Sequence, residues 1–141
     1  DMVEQGRRAR QAGLKLNVTV LLGLAGKERS LEHALATGAA LSEMDPDQVA
    51  ALTLMLIPGT PLHDAAQAGS FLLPDAQGML AELQTLLCHT DLSRGLFLSN
   101  HASNHLPLKV RLPRDRERAL SLIDRARQGH VPLTPEGRRR L

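Results

Sequence analysis

The spacing of apolar positions changes several times along the chain. Residues 2–12 read as a helix, stopped by Gly13 at a position that suits a C-terminal cap. The run LKLNVTVLLG that follows is apolar almost throughout and carries the β-branched Val18, Thr19 and Val20. It predicts a buried parallel strand ending at Gly23. A Gly-rich loop leads to Ser30, and Leu31, Ala34, Leu35, Gly38 and Leu41 recur at helical spacing, which predicts a helix over 31–43. Asp45-Pro46-Asp47 breaks it. VAALTLMLI, residues 49–57, predicts a second buried strand closed by Pro58-Gly59-Thr60-Pro61. A helix over about 74–89 is marked by Met79, Leu80, Leu83, Leu86 and Leu87. GLFLS at 95–99 predicts a third strand, and Pro113 opens a last helix over 114–128 that Gly129 ends. The tail HVPLTPEGRRRL reads as loosely held.

Strands alternating with helices imply βαβ units and a parallel sheet. In such folds ligands meet the loops at the C-terminal ends of the strands. Those loops are residues 23–29, 58–62 and 100–107, and all three fall on one edge. Alternation along the strands predicts that Thr19 and Thr53 face a barrel interior or cleft, with the wholly aliphatic faces under the helices.

Composition narrows the classes. The 141 residues suit one ordinary domain. Aromatics make up 1%, Phe71 and Phe97 alone, so the core is aliphatic and the stacking platforms of single-strand nucleic-acid binders are missing. No nucleic-acid partner is expected. Net charge is +2, with basic clusters at Arg7-Arg8-Ala9-Arg10 and Arg138-Arg139-Arg140 that read as solvated surface. One cysteine, Cys88, excludes an internal disulfide. No apolar run is long enough to span a bilayer, so a cytoplasmic location without a membrane partner is expected. The chain opens Asp1-Met2 directly into helical sequence, which reads as a start within a longer protein.

Among candidate sites, SNHASNHLPL at 99–108 stands out. His101 and His105 would share a face on a helix, but Pro107 and the Asn and Ser residues favour a loop, so a metal site is not expected. Two readings stay open: a polar turn, and a ligand-reading loop in which Asn100 and Asn104 supply amide groups. GLAGKE lacks both the Walker spacing and the dinucleotide fingerprint, leaving a tight loop that a ligand can approach. IPGTPL is a rigid turn. No nucleophile elbow is present, and nothing near Cys88 marks it as reactive.

Taken together, VTVLLGLAGKE, LTLMLIPGTPLHDAAQAG and LFLSNHASNHLPLKVRLPRDRERALSLIDRA resemble the C-terminal half of a radical S-adenosylmethionine enzyme over roughly residues 2–128. The similarity is to the subgroup with barrels like those of methylthiotransferases and oxygen-independent coproporphyrinogen oxidase. The resemblance implies an α/β fold, a partial parallel (β/α)6-type barrel over 1–113 with a C-terminal helix and tail over 114–141. It implies S-adenosylmethionine and a [4Fe–4S] cluster as cofactors, a 5′-deoxyadenosyl radical as the product of their reaction, and an unknown substrate. The cluster needs the thiolates of C-x-x-x-C-x-x-C; with one cysteine this chain does not supply them, and alone it is expected to be inactive. By the resemblance, Thr19, Leu21 and Gly23 flank the adenosyl group, with the usual acidic residue displaced to Glu28. Leu56, Ile57 and Pro58 fall on the sixth barrel strand, whose backbone meets the adenine. Asn100, His101, Ser103 and Asn104 lie where a loop would face substrate.

Two other classes remain. One is a non-catalytic α/β binding or interaction module; the other is a hydrolase or metal-dependent enzyme using His101, His105 and His63. In a truncated barrel the first strand of this chain loses its partner, so self-association through the exposed sheet edge is a further expectation.

Overall fold

Three of the five α-helices begin where a short polar side chain takes up a free backbone amide. In the computed structural model, which describes residues 1–141, Asp1 caps α1 (Met2–Gln11) by accepting from Val3 N–H at 2.9 Å. Thr60 with Pro61 opens α3 (Pro61–Gln67), and Asp75 opens α4 (Ala76–Cys88), accepting from Gly78 N–H at 2.8 Å. Helix α2 (Ser30–Met44) ends at Asp45, whose φ of 46° turns the chain sharply. The last helix is α5 (Arg116–Arg127). Four strands complete the fold: β1 (Asn17–Leu22), β2 (Gln48–Thr53), β3 (Gly95–Leu98) and β4 (Lys109–Leu112).

The sheet is open and runs β1-β2-β3-β4. The first three strands are parallel, with Asn17 beside Gln48 and Gln48 beside Leu96. The fourth is antiparallel to β3, with Gly95 beside Leu112. This corrects the all-parallel expectation, in which residues 109–112 belonged to no strand. The physical reason is the length of the connection. Only residues 99–108 join β3 to β4, too few for the helical crossover that a parallel return requires, so the chain comes straight back.

The register sets two faces. Val49, Ala51, Thr53, Phe97, Val110 and Leu112 point to one side and are buried with Leu41, Leu80, Leu87, Ala119 and Ile123 in a single core. A fully buried Leu or Phe here contributes about 1.5–3 kcal/mol relative to exposure. Because α5 supplies Ala119, Ile123 and Ala126, residues beyond 113 share that core. The opposite face carries Thr19, Leu21, Ala50, Leu52, Leu96, Leu98, Lys109 and Arg111, all exposed or half-buried. Thr53 is 2% exposed on the helix side, so it does not share a face with Thr19 as expected. Asn17 pairs with Gln48, an odd offset along the chain that reverses the parity between β1 and β2.

The two edges differ. On β4, the Arg111 N–H donates to Asp115 Oδ2 at 2.9 Å and Arg111 O accepts from Asp115 N–H at 2.7 Å, closing that edge. The Arg114 guanidinium and then the Arg111 amide hold the Asp115 carboxyl down to about 2. On β1, Leu16 O and Leu22 O accept from Gln48 and Leu54, so Asn17, Thr19 and Leu21 direct their amides and carbonyls outward. That edge carries no charge and no proline. At the opposite end of the strands from the candidate loops, Arg10 bridges Asp45 at 3.1 Å and Asp47 at 2.8 Å, tying α1 to the start of β2. Asp47 also accepts from Leu16 N–H at 2.8 Å, and this bond, with Arg10, keeps its carboxyl below the ordinary range.

The tail is docked rather than loosely held. A short 3-10 turn (Glu136–Arg138) precedes Arg139, which is 7% exposed.

Candidate functional site

Parallel pairing of β1, β2 and β3 brings the loops 23–29, 54–60 and 99–108 to one rim, as the alternation of elements implied. Two buried polar clusters hold that rim.

The first lies below the loop after β1. Glu82 of α4 is fully buried and its carboxyl accepts from Gly23 N–H at 3.0 Å, from the Ser30 hydroxyl, and faces His33 Nδ1 at 2.9 Å. One side chain thus joins the end of β1, the first turn of α2 and the middle of α4. Gly23 is required there. Its φ is +85°, and a Cβ would come within 2.9 Å of Met79 Sδ. Its amide is committed to Glu82, so Gly23 offers no N–H to a ligand.

The second cluster is the SNHASNH loop itself. Asn104 is buried and uses its whole amide: Oδ1 accepts from Thr53 Oγ1 at 2.8 Å, and Nδ2 donates to Ala51 O at 2.9 Å. Ser103 Oγ accepts from Thr53 N–H at 3.1 Å and lies 2.9 Å from His101 Nδ1. The loop therefore takes up the backbone groups left free where β2 ends, as a buried rim requires. Behind it the His105 imidazole is nearly buried. Burial first, and the nearby Arg139 cation second, hold its pKa below the ordinary 6.5, so it is neutral at pH 7.

The tail covers this cluster. Arg139 Nε donates to Ser103 O at 2.6 Å, its Nη1 reaches the Glu136 carboxylate at 2.6 Å, and its Nη2 is buried without a partner. Thr134 N–H donates to His105 O at 2.7 Å, and Arg140 N–H to Ala102 O at 3.2 Å.

The anticipated residues fall into three groups. Thr19 and Leu21 sit on the open sheet face beside the free edge, while Asn100 and His101 are exposed at the rim. Gly23, Ser103 and Asn104 are buried and bonded within the chain. Leu56, Ile57 and Pro58 are not on a strand, because β2 ends at Thr53; they lie in the irregular segment before Thr60, with Ile57 and Pro58 exposed. Glu82, Ser30, His33 and Arg139 were not anticipated. Glu82 had a signal, a carboxylate on the helical stripe shared with Met79, Leu83 and Leu86. The others had none, since their roles depend on where α4 and the tail pack.

Chemically, the rim offers hydroxyls, amides and an exposed imidazole beside an aliphatic shelf flanked by Lys109 and Arg111. No three His, Cys, Asp or Glu side chains come together as a metal-holding group, and His63, His101 and His105 do not converge. The single thiol, Cys88, is exposed at the end of α4, and a three-thiolate cluster does not fit this chain. No helix is long and apolar enough to cross a membrane. The fold and rim define an α/β protein with an open mixed sheet whose core helices share one face. Beyond that class, no protein-family model and no curated protein matches the chain.

Proposed function

We propose that this chain forms the C-terminal βα units of a radical S-adenosylmethionine barrel, with the cluster held by a separate cysteine-bearing part. The observation that carries this reading is the wall-like arrangement of consecutive strands. They lie in sequence order with every core helix on one face and the other face open. A doubly wound sheet puts helices on both faces, whereas a barrel wall leaves its inner face for the lumen. The unprotected β1 edge supports the same reading, because natural edges that stay free are blunted by charge or proline.

On this reading the inner wall comprises Thr19, Leu21, Ala50, Leu52, Leu96 and Leu98, and Asn100 and His101 reach toward substrate from the rim. S-adenosylmethionine would lie along Thr19, Leu21 and the segment 56–58. Gly23, Ser103 and Asn104 shape the rim without touching the ligand. This chain's own contribution is binding and orientation, since its one cysteine does not supply the cluster's thiolates.

The test is the coding sequence upstream of Asp1, followed by anaerobic reconstitution of the full product. An in-frame C-x-x-x-C-x-x-C and reductive cleavage of S-adenosylmethionine to 5′-deoxyadenosine are expected. A start codon with no such cysteines overturns the proposal. The binding-module reading then takes its place, favoured by the commitment of Gly23, Ser103 and Asn104 to internal bonds.

A further inference from the structure

We propose that residues 134–140 form a releasable strap over the rim of β2 and β3, latched by Arg139 and opened by protonation of His105. This inference stands on the tail's geometry and does not require the barrel reading.

The strap touches the loop through hydrogen bonds to three successive parts of it: Arg140 to Ala102, Arg139 to Ser103, and Thr134 to His105. All three acceptors are backbone carbonyls, which the loop presents whether or not the strap is in place. The loop's own ties to β2, through Ser103 and Asn104, do not involve the tail. Release of the strap therefore need not unfold the loop, and it would uncover Ser103, Asn104 and His105.

The latch is incompletely satisfied. The Arg139 side chain is 3% exposed, yet one of its nitrogens, Nη2, has no acceptor, and its counterion Glu136 is 73% exposed. A buried cation with one unmade hydrogen bond is costly and depends on the neutrality of its surroundings. The charged groups that act on His105 are Arg139 and Glu136 from the tail and Asp75 from the cap of α4. A proton on His105 places a second cation beside Arg139, with a largely solvated Glu136 to balance both. Undocking the strap takes away the Arg139 cation, the strongest of the strap's influences on the imidazole, together with the Glu136 carboxylate and the Thr134 backbone contact that favour the charged form. Below the ordinary 6.5, proton uptake and release of the strap consequently favour each other.

Hydrogen exchange on the intact chain between pH 7.5 and pH 5 tests this, with rates corrected for intrinsic pH dependence. Protection of the Thr134 and Arg140 amides is expected to fall at least tenfold at the acid end while α4 and β2 keep theirs. His105→Gln is expected to abolish that fall, and Arg139→Gln to remove the protection at every pH. Equal protection at both pH values overturns the proposal. So does a loss shared with α4, which would be general acid unfolding, or an unchanged pH response in His105→Gln.

Discussion

The two polar clusters at the rim do the same geometric task by different chemistry. Under the loop after β1, one carboxylate draws donors from three places, and every partner belongs to the packed body of the domain. Under the β2–β3 rim, a neutral amide and a hydroxyl do the pinning, and a cation from the tail lies over them. The first arrangement cannot be loosened without dislodging α4. The second has a removable layer. A rim built this way is fixed beside β1 and adjustable beside β3, and the exposed Asn100 and His101 lie on the adjustable side.

Breaking the fixed side carries the largest expected effect. Glu82→Leu leaves the buried Gly23 amide without an acceptor and frees His33 and Ser30, at a cost of about 3 kcal/mol. Urea unfolding should show this as a lowered midpoint, and Glu82→Gln, which keeps an acceptor of the same shape, should lose about half as much. A Glu82→Leu chain within about 0.5 kcal/mol of the parent would remove the carboxylate from its place as anchor. Asn104→Leu comes next. It strips Ala51 O and the Thr53 hydroxyl of their partners, for about 2 kcal/mol. Its amide-exchange footprint should centre on 99–108 and the end of β2 and leave α2 protected. If α2 loosens equally, the two clusters are one cooperative unit and the contrast fails. Removing residues 132–141 should cost less than either, about 1 kcal/mol. A chain that no longer folds without them would show that the strap is part of the core.

The alternation of apolar runs showed the order of α1, α2, α4, α5 and the first three strands, and with it the shared rim of three loops; α3, seven residues without a buried side chain, left no such pattern. The alternation did this because both faces of these strands carry aliphatic side chains, as in residues 18–22 and 49–52, although the fold buries only one of the two. The fourth strand was also written, as LKVRL with every second residue buried, but its two cations disguised a period of two as a basic segment. Facing was not legible. Thr19 and Thr53 both alternate with aliphatic neighbours, and only the pairing of Asn17 with Gln48 places them on opposite sides. Nor was the fate of the Asn-rich loop. Whether Asn104 reads a ligand or ends β2 depends on ten residues doubling back across a neighbouring strand, a long-range arrangement that local pattern does not encode. Arg139 sat in an Arg-Arg-Arg run that predicts solvation, and docking of the tail selected the middle one for burial.

The smallest effect discriminates most sharply between the two sides. His105 has a folded-state pKa below its ordinary 6.5, mainly through burial and then through Arg139. The unfolded chain therefore binds a proton at 6.5 that the folded chain refuses until lower pH. The stability tied to this difference is fully present above 6.5 and is lost as pH falls from there toward the depressed folded value. One proton sets the ceiling on the slope, about 1.4 kcal/mol per pH unit. Unfolding free energies measured at intervals from pH 5 to 7.5 should show a slope that His105→Gln flattens. In the chain lacking residues 132–141 the slope should be shallower, because loss of the strap removes the Arg139 cation, the strongest charge acting on the imidazole. If truncation leaves it unchanged, burial by the loop alone keeps His105 neutral, and the tail covers the rim without sensing its charge.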